Sequence, residues 1–117
     1  MRYQADDLTI ESLQQNDQLV VRWLGRSEDK DPSRTLQPLL ESLSQHFRDA
    51  SSVELDFRAL EYMNSSTVRP ILSLVQRASA SVGNVRVRYD ASKTWQRMSF
   101  LAIGVALREL SNVQVSA

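Results

Sequence analysis

Cysteine is absent from the chain. That excludes a disulfide framework and any thiolate metal site, and it fits a reducing compartment. Histidine occurs once, at His46. Without thiols a metal would be left with carboxylates, and these do not cluster along the sequence. A Ser-His-Asp hydrolase would have to bring His46 to a serine, yet no serine sits in a Gly-x-Ser-x-Gly elbow. The three glycines are isolated, so there is no Gly-rich phosphate loop. Fourteen basic side chains balance fourteen acidic ones, and global charge argues for neither nucleic acid nor a membrane surface. Arg86 and Arg88, with Lys93 and Arg97 close in sequence, read as a solvated patch. No apolar run approaches the roughly 20 residues of a membrane span. The first residues, MRYQADD, lack the apolar core of a signal peptide. A cytoplasmic protein is expected, with no direct membrane insertion.

What is present is an ordinary globular composition, 42% apolar and 24% charged over 117 residues. That size supports one domain over 1–117, with its core at about 8–115. The stretch from Val53 to Val75 organises it. Val53, Leu55 and Phe57 alternate with Glu54 and Asp56, the period of a strand. Val68, Ile71, Leu72 and Val75 repeat at helical spacing. Between them lie Asn64, Ser65, Ser66 and Thr67, all residue types that suit a helix N-cap. Free backbone N–H groups and the positive end of the helix dipole make this a place that accommodates an anion. Pro70 keeps regular helix from starting much before Ser66 or Thr67. Asn64 and Ser65 are thereby left on the turn, with Ser66 as the expected cap.

Upstream, residues 1–7 are polar and read as loose. Leu8–Leu13 and Leu19–Leu24 read as a hairpin, with Gly25 ending its second strand. Arg26–Arg34 is a charged loop. Pro38 is tolerated only in a first helical turn, so a helix is expected near 35–48. The second helix is expected near 66–81. A strand follows at Val85–Tyr89, a third helix near 93–109, and a short last strand at Val113–Val115. The third helix is apolar on two sides. Trp95, Met98, Ala102 and Val105 form one stripe; Phe100, Ile103, Leu107 and Leu110 form another. Such a helix is buried on two sides, ends at Gly104, or keeps one stripe for a partner. In the last case Phe100 and Leu107 are the exposed contact residues. The order β-β-α-β-α-β-α-β implies an α/β fold: a mixed four- or five-stranded sheet with helices packed on it.

This order and this turn resemble the STAS domain, the fold of bacterial anti-sigma factor antagonists. Val53–Asp56 resembles the family's strand, Leu60–Met63 its short apolar link, and Asn64–Thr67 its phosphorylation turn. The resemblance covers about Leu8 to Val115. Asn64 stands where the family usually has Asp, and Thr67 where it usually has Gly. An Asn-Ser/Thr-Ser-Ser turn also resembles a divergent branch linked to diguanylate cyclase control. What the resemblance implies is a non-enzymatic phospho-switch without a cofactor or metal. Ser65 would be the phosphate acceptor, with Thr67 and Ser66 secondary. Asn64, Ser65, Ser66, Thr67 and Arg69 would meet the partner, and Asp56 would order the turn by hydrogen bonds. The implied partners are a serine/threonine switch kinase or anti-sigma factor, a PP2C-type phosphatase and a diguanylate cyclase. The resemblance equally allows an unphosphorylated accessory or scaffold subunit of an ATPase transporter or stress-signalling assembly.

Overall fold

A computed structural model describes residues 1–117. Its elements run β1 (Arg2–Ala5), β2 (Leu8–Gln15), β3 (Gln18–Ser27), α1 (Pro32–Thr35), α2 (Gln37–Phe47), β4 (Ser52–Asp56) and β5 (Leu60–Met63). A 3-10 turn at Ser65–Thr67 leads into α3 (Val68–Ser81), then β6 (Asn84–Arg88), α4 (Thr94–Ala106) and β7 (Val113–Ser116). The strands form one sheet in the order β1-β2-β3-β4-β6-β7, with β5 also paired to β3. β1, β2 and β3 are antiparallel neighbours. β3, β4, β6 and β7 run parallel. The mixed α/β architecture expected from the pattern is therefore the one adopted, with seven strands instead of four or five.

The two extra strands are those whose patterns carry least. β1 lies in the segment expected to be loose. It is an edge strand held by the ladder from Arg2↔Glu11 to Ala5↔Leu8, and pairing needs only backbone groups. β5 is the link at Leu60–Met63, paired in parallel with the far end of β3. Gly25 does not end β3 but bends it. Its φ is +86°, and a Cβ there would lie 2.0 Å from the Asp7 carbonyl oxygen. The register shifts at Gly25/Arg26, a bulge that only glycine fits. Before the bulge β3 pairs with β4; after it, with β5. The chain leaving β5 is thus delivered to the end of β3 at Ser27.

Strand order rises without reversal from β3 to β7. With each crossover right-handed, successive helices fall on the same face of the sheet. Leu19, Val21, Trp23, Val53, Leu55, Phe57, Val85 and Val87 are buried on that face. An aromatic chain crosses the core: Trp23 to Phe57 at 5.1 Å, Phe57 to Phe100 at 5.0 Å, and Phe100 stacked on Tyr89 at 5.6 Å. The other face is open and charged. Glu11, Arg22, Asp56 and Arg88 stand side by side across four strands.

Phe100 and Leu107 are core residues, 0% and 3% exposed, which overturns their assignment to a partner surface. α4 seats Gln96, Phe100, Ile103 and Leu107 on the sheet. Phe100 completes the aromatic chain, and that packing chooses the buried side. Met98, Leu101 and Val105 face out instead, 66%, 58% and 63% exposed. Gln96 is fully buried. Its side-chain amide donates to the carbonyls of Phe57 (2.8 Å) and Leu60 (2.9 Å), and its oxygen accepts from Asp90 N (2.7 Å). One side chain thereby locks the start of α4 to the link before β5.

Candidate functional site

The turn at Asn64–Thr67 is built by Asn64. Its backbone is extended at φ −79°, ψ 168°, the conformation of an N-cap. Its Oδ1 accepts from Thr67 N at 3.1 Å and from Thr67 Oγ1 at 2.7 Å. Its Nδ2 donates to the Asp29 carbonyl at 2.8 Å. Its own backbone N–H donates to the Ser27 carbonyl. Thr67 gives its only hydroxyl proton to Asn64, so Ser27 Oγ must be the donor in the 2.8 Å bond between Ser27 and Thr67. The partners dictate the amide orientation: an N–H and an O–H on one side, a carbonyl on the other.

This network gives both Asn64 and Thr67 a structural reason. A carboxylate at position 64 would present oxygen to the Asp29 carbonyl and lose that bond. A glycine at position 67 would leave Ser27, 2% exposed, without its acceptor. Asn64 and Thr67 are one unit that ties the turn to the loop after β3.

The four turn residues therefore separate. Thr67 is 0% exposed and its hydroxyl is engaged, so it is corrected from secondary acceptor to structural residue. Ser66 is exposed and is not the cap; Asn64 is. Ser65 is exposed, as expected, and neither serine hydroxyl bonds within the protein. Met63 is buried before the turn and Val68 packs on the core after it, so the serines ride on an anchored segment. Arg69 is exposed and forms no ion pair.

Ser65 borders two hollows and is the one residue common to both. The first, about 340 Å³, is lined by Lys30, Asp31, Pro32, Ser33, Ser65, Ser66 and Arg69, two cations and one carboxylate among them. The second, about 390 Å³, is an apolar groove between α3 and α4, floored by Val68, Leu72, Ala102, Ile103 and Ala106. Lys30 reaches the turn because Asp29 shapes its loop. The Asp29 carboxylate accepts from Thr35 Oγ1 and from Asp31 N, each at 2.7 Å. The Thr35 bond and then the Asp31 bond hold its pKa below the ordinary carboxylate value. Neither Lys30 nor Asp29 stands out in the sequence, where both belong to a charged loop.

Asp56 does not touch this turn. It is 5% exposed and accepts from Arg58 N, Nε and Nη2 at 3.0, 3.0 and 2.9 Å. It orders the bend after β4. Burial alone would raise its pKa, but the Arg58 hydrogen bonds and the charges of Arg58 and Arg22 prevail and lower it. His46 bonds the Ser42 carbonyl of its own helix through Nδ1. The largest hollow, about 510 Å³, lies elsewhere, between the β1–β2 turn and α1. Its Glu28 is paired with Arg26 and its Asp29 is engaged as above. No three His, Cys, Asp or Glu side chains gather to hold a metal, and no helix is long and apolar enough to cross a membrane.

No family model matches the sequence, and no curated protein does. Solved structures do match the fold. The anti-sigma factor antagonist SpoIIAA in its unphosphorylated form superposes with a TM-score of 0.61 at 15% identity, over 94% of this chain and 88% of that one. An anti-sigma factor antagonist from Mycobacterium paratuberculosis gives 0.58 at 15% identity, over 89% and 86%. An uncharacterised Shewanella loihica protein with a SpoIIAA-like fold gives 0.55 at 16% identity, over 98% and 89%. The chain has the SpoIIAA-like fold of these proteins.

Proposed function

We propose that this chain is a non-enzymatic regulatory binding protein switched by phosphate on Ser65. The observation that carries the reading is the position of Ser65. Its hydroxyl is exposed and free, at the start of a helix, where a hollow lined by Lys30, Arg69 and Asp31 meets an apolar groove. The fold shared with two anti-sigma factor antagonists supports it. In the unphosphorylated form Asn64, Ser65, Ser66 and Arg69 meet a serine/threonine switch kinase or anti-sigma factor. Lys30 and Arg69 attract its carboxylates. A phosphate on Ser65 adds nearly two negative charges. It draws those cations to itself and repels the partner's acidic groups, so the complex dissociates. A PP2C-type phosphatase resets the switch. No refolding is required, because Asn64 holds the cap while Ser65 changes charge.

Incubation with a candidate kinase and ATP, followed by peptide mapping, tests this. One phosphate on Ser65 is expected, none on S65A, and partner capture weakened by about tenfold or more. Phosphate on Ser66 or Thr67, or undiminished capture, overturns the assignment. A second reading is favoured by the exposed apolar side of α4. This is an unphosphorylated accessory or scaffold subunit of an ATPase transporter, a stress-signalling assembly or a diguanylate cyclase. Stable co-purification with such a partner, with the turn unmodified, would select it.

A further inference from the structure

We propose that the outer face of α4, with the adjoining α3–α4 groove, is a docking site for an amphipathic helix with acidic flanks on a partner protein. The helices differ in what they show to solvent. α2 presents Gln37, Glu41, Gln45 and His46. α4 presents Met98, Leu101 and Val105, each more than half exposed. These three are spaced by three and then four residues, the spacing of an apolar seam between two helices. They are not surplus core, since the seam that seats α4 on the sheet runs along its other side through Phe100, Ile103 and Leu107. The groove lies alongside, and the small Ala102 and Ala106 that line it from α4 leave room for a partner's side chains.

Charge selects the partner. Lys93, Arg97 and Arg108 lie along this helix, and the sequence from Lys93 holds no carboxylate until Glu109, next to Arg108. Arg97 and Arg108 are exposed at the two ends of the apolar stripe, and neither forms an ion pair. Acidic residues flanking an apolar seam would pair with them, while a basic helix would be repelled. The groove ends at Ser65. The inference thereby deepens the switch reading and rests on it for one point, that phosphate at the groove mouth would oppose an acidic partner.

The test is a titration of the ¹⁵N-labelled full chain with two synthetic helical peptides. Both carry leucine along the seam; one is flanked by glutamate, the other by lysine. The glutamate peptide should shift the amides of Met98–Arg108 and of Val68–Leu72. It should bind about tenfold or more tighter than the lysine peptide. L101E and V105E should lose this binding without a change in melting temperature, and L101A should weaken it. Equal affinity for both peptides, shifts elsewhere on the chain, or an unaffected L101E overturns the site. So does a wild-type dimer in sedimentation velocity that L101E splits, which would give the face to a second copy. Co-sedimentation with anionic phospholipid vesicles, lost in L101E, would give it to a membrane surface and likewise overturn the proposal. S65D separates the two readings: binding lost in L101E but unchanged in S65D keeps the docking site and removes the switch.

Discussion

Four adjacent residues that look interchangeable in the sequence do different work in the turn. Asn64 caps, Thr67 is buried beneath it, and Ser65 and Ser66 stay free. The difference is measurable. T67V keeps the shape of the side chain and removes the hydroxyl. Ser27 Oγ then has no acceptor in a buried position, and an unsatisfied buried donor costs about 1–3 kcal/mol. S65A removes an exposed group that bonds nothing, so its effect should stay within about 0.5 kcal/mol. Urea unfolding of both variants checks this. Equal losses would mean that the network through Asn64 does not carry the turn.

At the scale of elements, two devices position the site. The Gly25 bulge lets β3 serve β4 with one half and β5 with the other, which brings the turn beside Ser27. Gln96 then fixes where α4 begins, through three hydrogen bonds to the backbone of Phe57, Leu60 and Asp90. Q96L is close in size and apolar. It should take from the Leu60 carbonyl and the Asp90 N–H the partner that Gln96 gives them, at about 1–3 kcal/mol for each group left unsatisfied, while the Phe57 carbonyl keeps its bond from Leu60 N. A drop in stability of several kcal/mol is expected in chemical denaturation. Hydrogen exchange should also quicken at Asp90 N, whose acceptor the variant removes. An unchanged exchange rate there would show that α4 is seated by its apolar side alone.

The whole molecule is a two-layer structure with helices on one side and charge on the other. The open face sets its response to acid. Asp56 holds a proton less tightly than an ordinary aspartate, because Arg58 bonds outweigh its burial. A carboxylate with a lowered folded-state pKa stabilises the fold above its unfolded value near 3.8, and that contribution disappears as pH falls through the folded value. Asp29 and Asp90 are shifted in the same direction, by bonds from Thr35 and from Ser92 respectively. The melting temperature should therefore hold steady from pH 7 to about 5 and fall below about pH 4. D56N should melt lower than wild type at pH 7 and show a shallower acid decline. Parallel pH profiles for the two proteins would remove Asp56 from this account.

Much of this was written locally. The alternation at Val53–Phe57, the helical spacing after Val68 and the limit set by Pro70 were enough to locate the turn and to leave Ser65 exposed on it. Resemblance at that turn and in the element order pointed to the fold. Periodicity is a property of near neighbours, so a sequence displays it. What it does not display is pairing. β1 and β5 are too short to announce themselves by periodicity, and each forms where a neighbouring strand offers hydrogen bonds. The buried side of α4 was likewise undecided in a helix apolar on both sides, until Phe57 and Tyr89 took Phe100. Thr67 differs from Ser65 through its bonds to Asn64 and to Ser27, the latter forty residues earlier in the chain. The sequence determined by itself where a hydroxyl-rich helix start would lie. Tertiary structure alone decided which hydroxyl is free, because burial depends on what the rest of the chain brings against it.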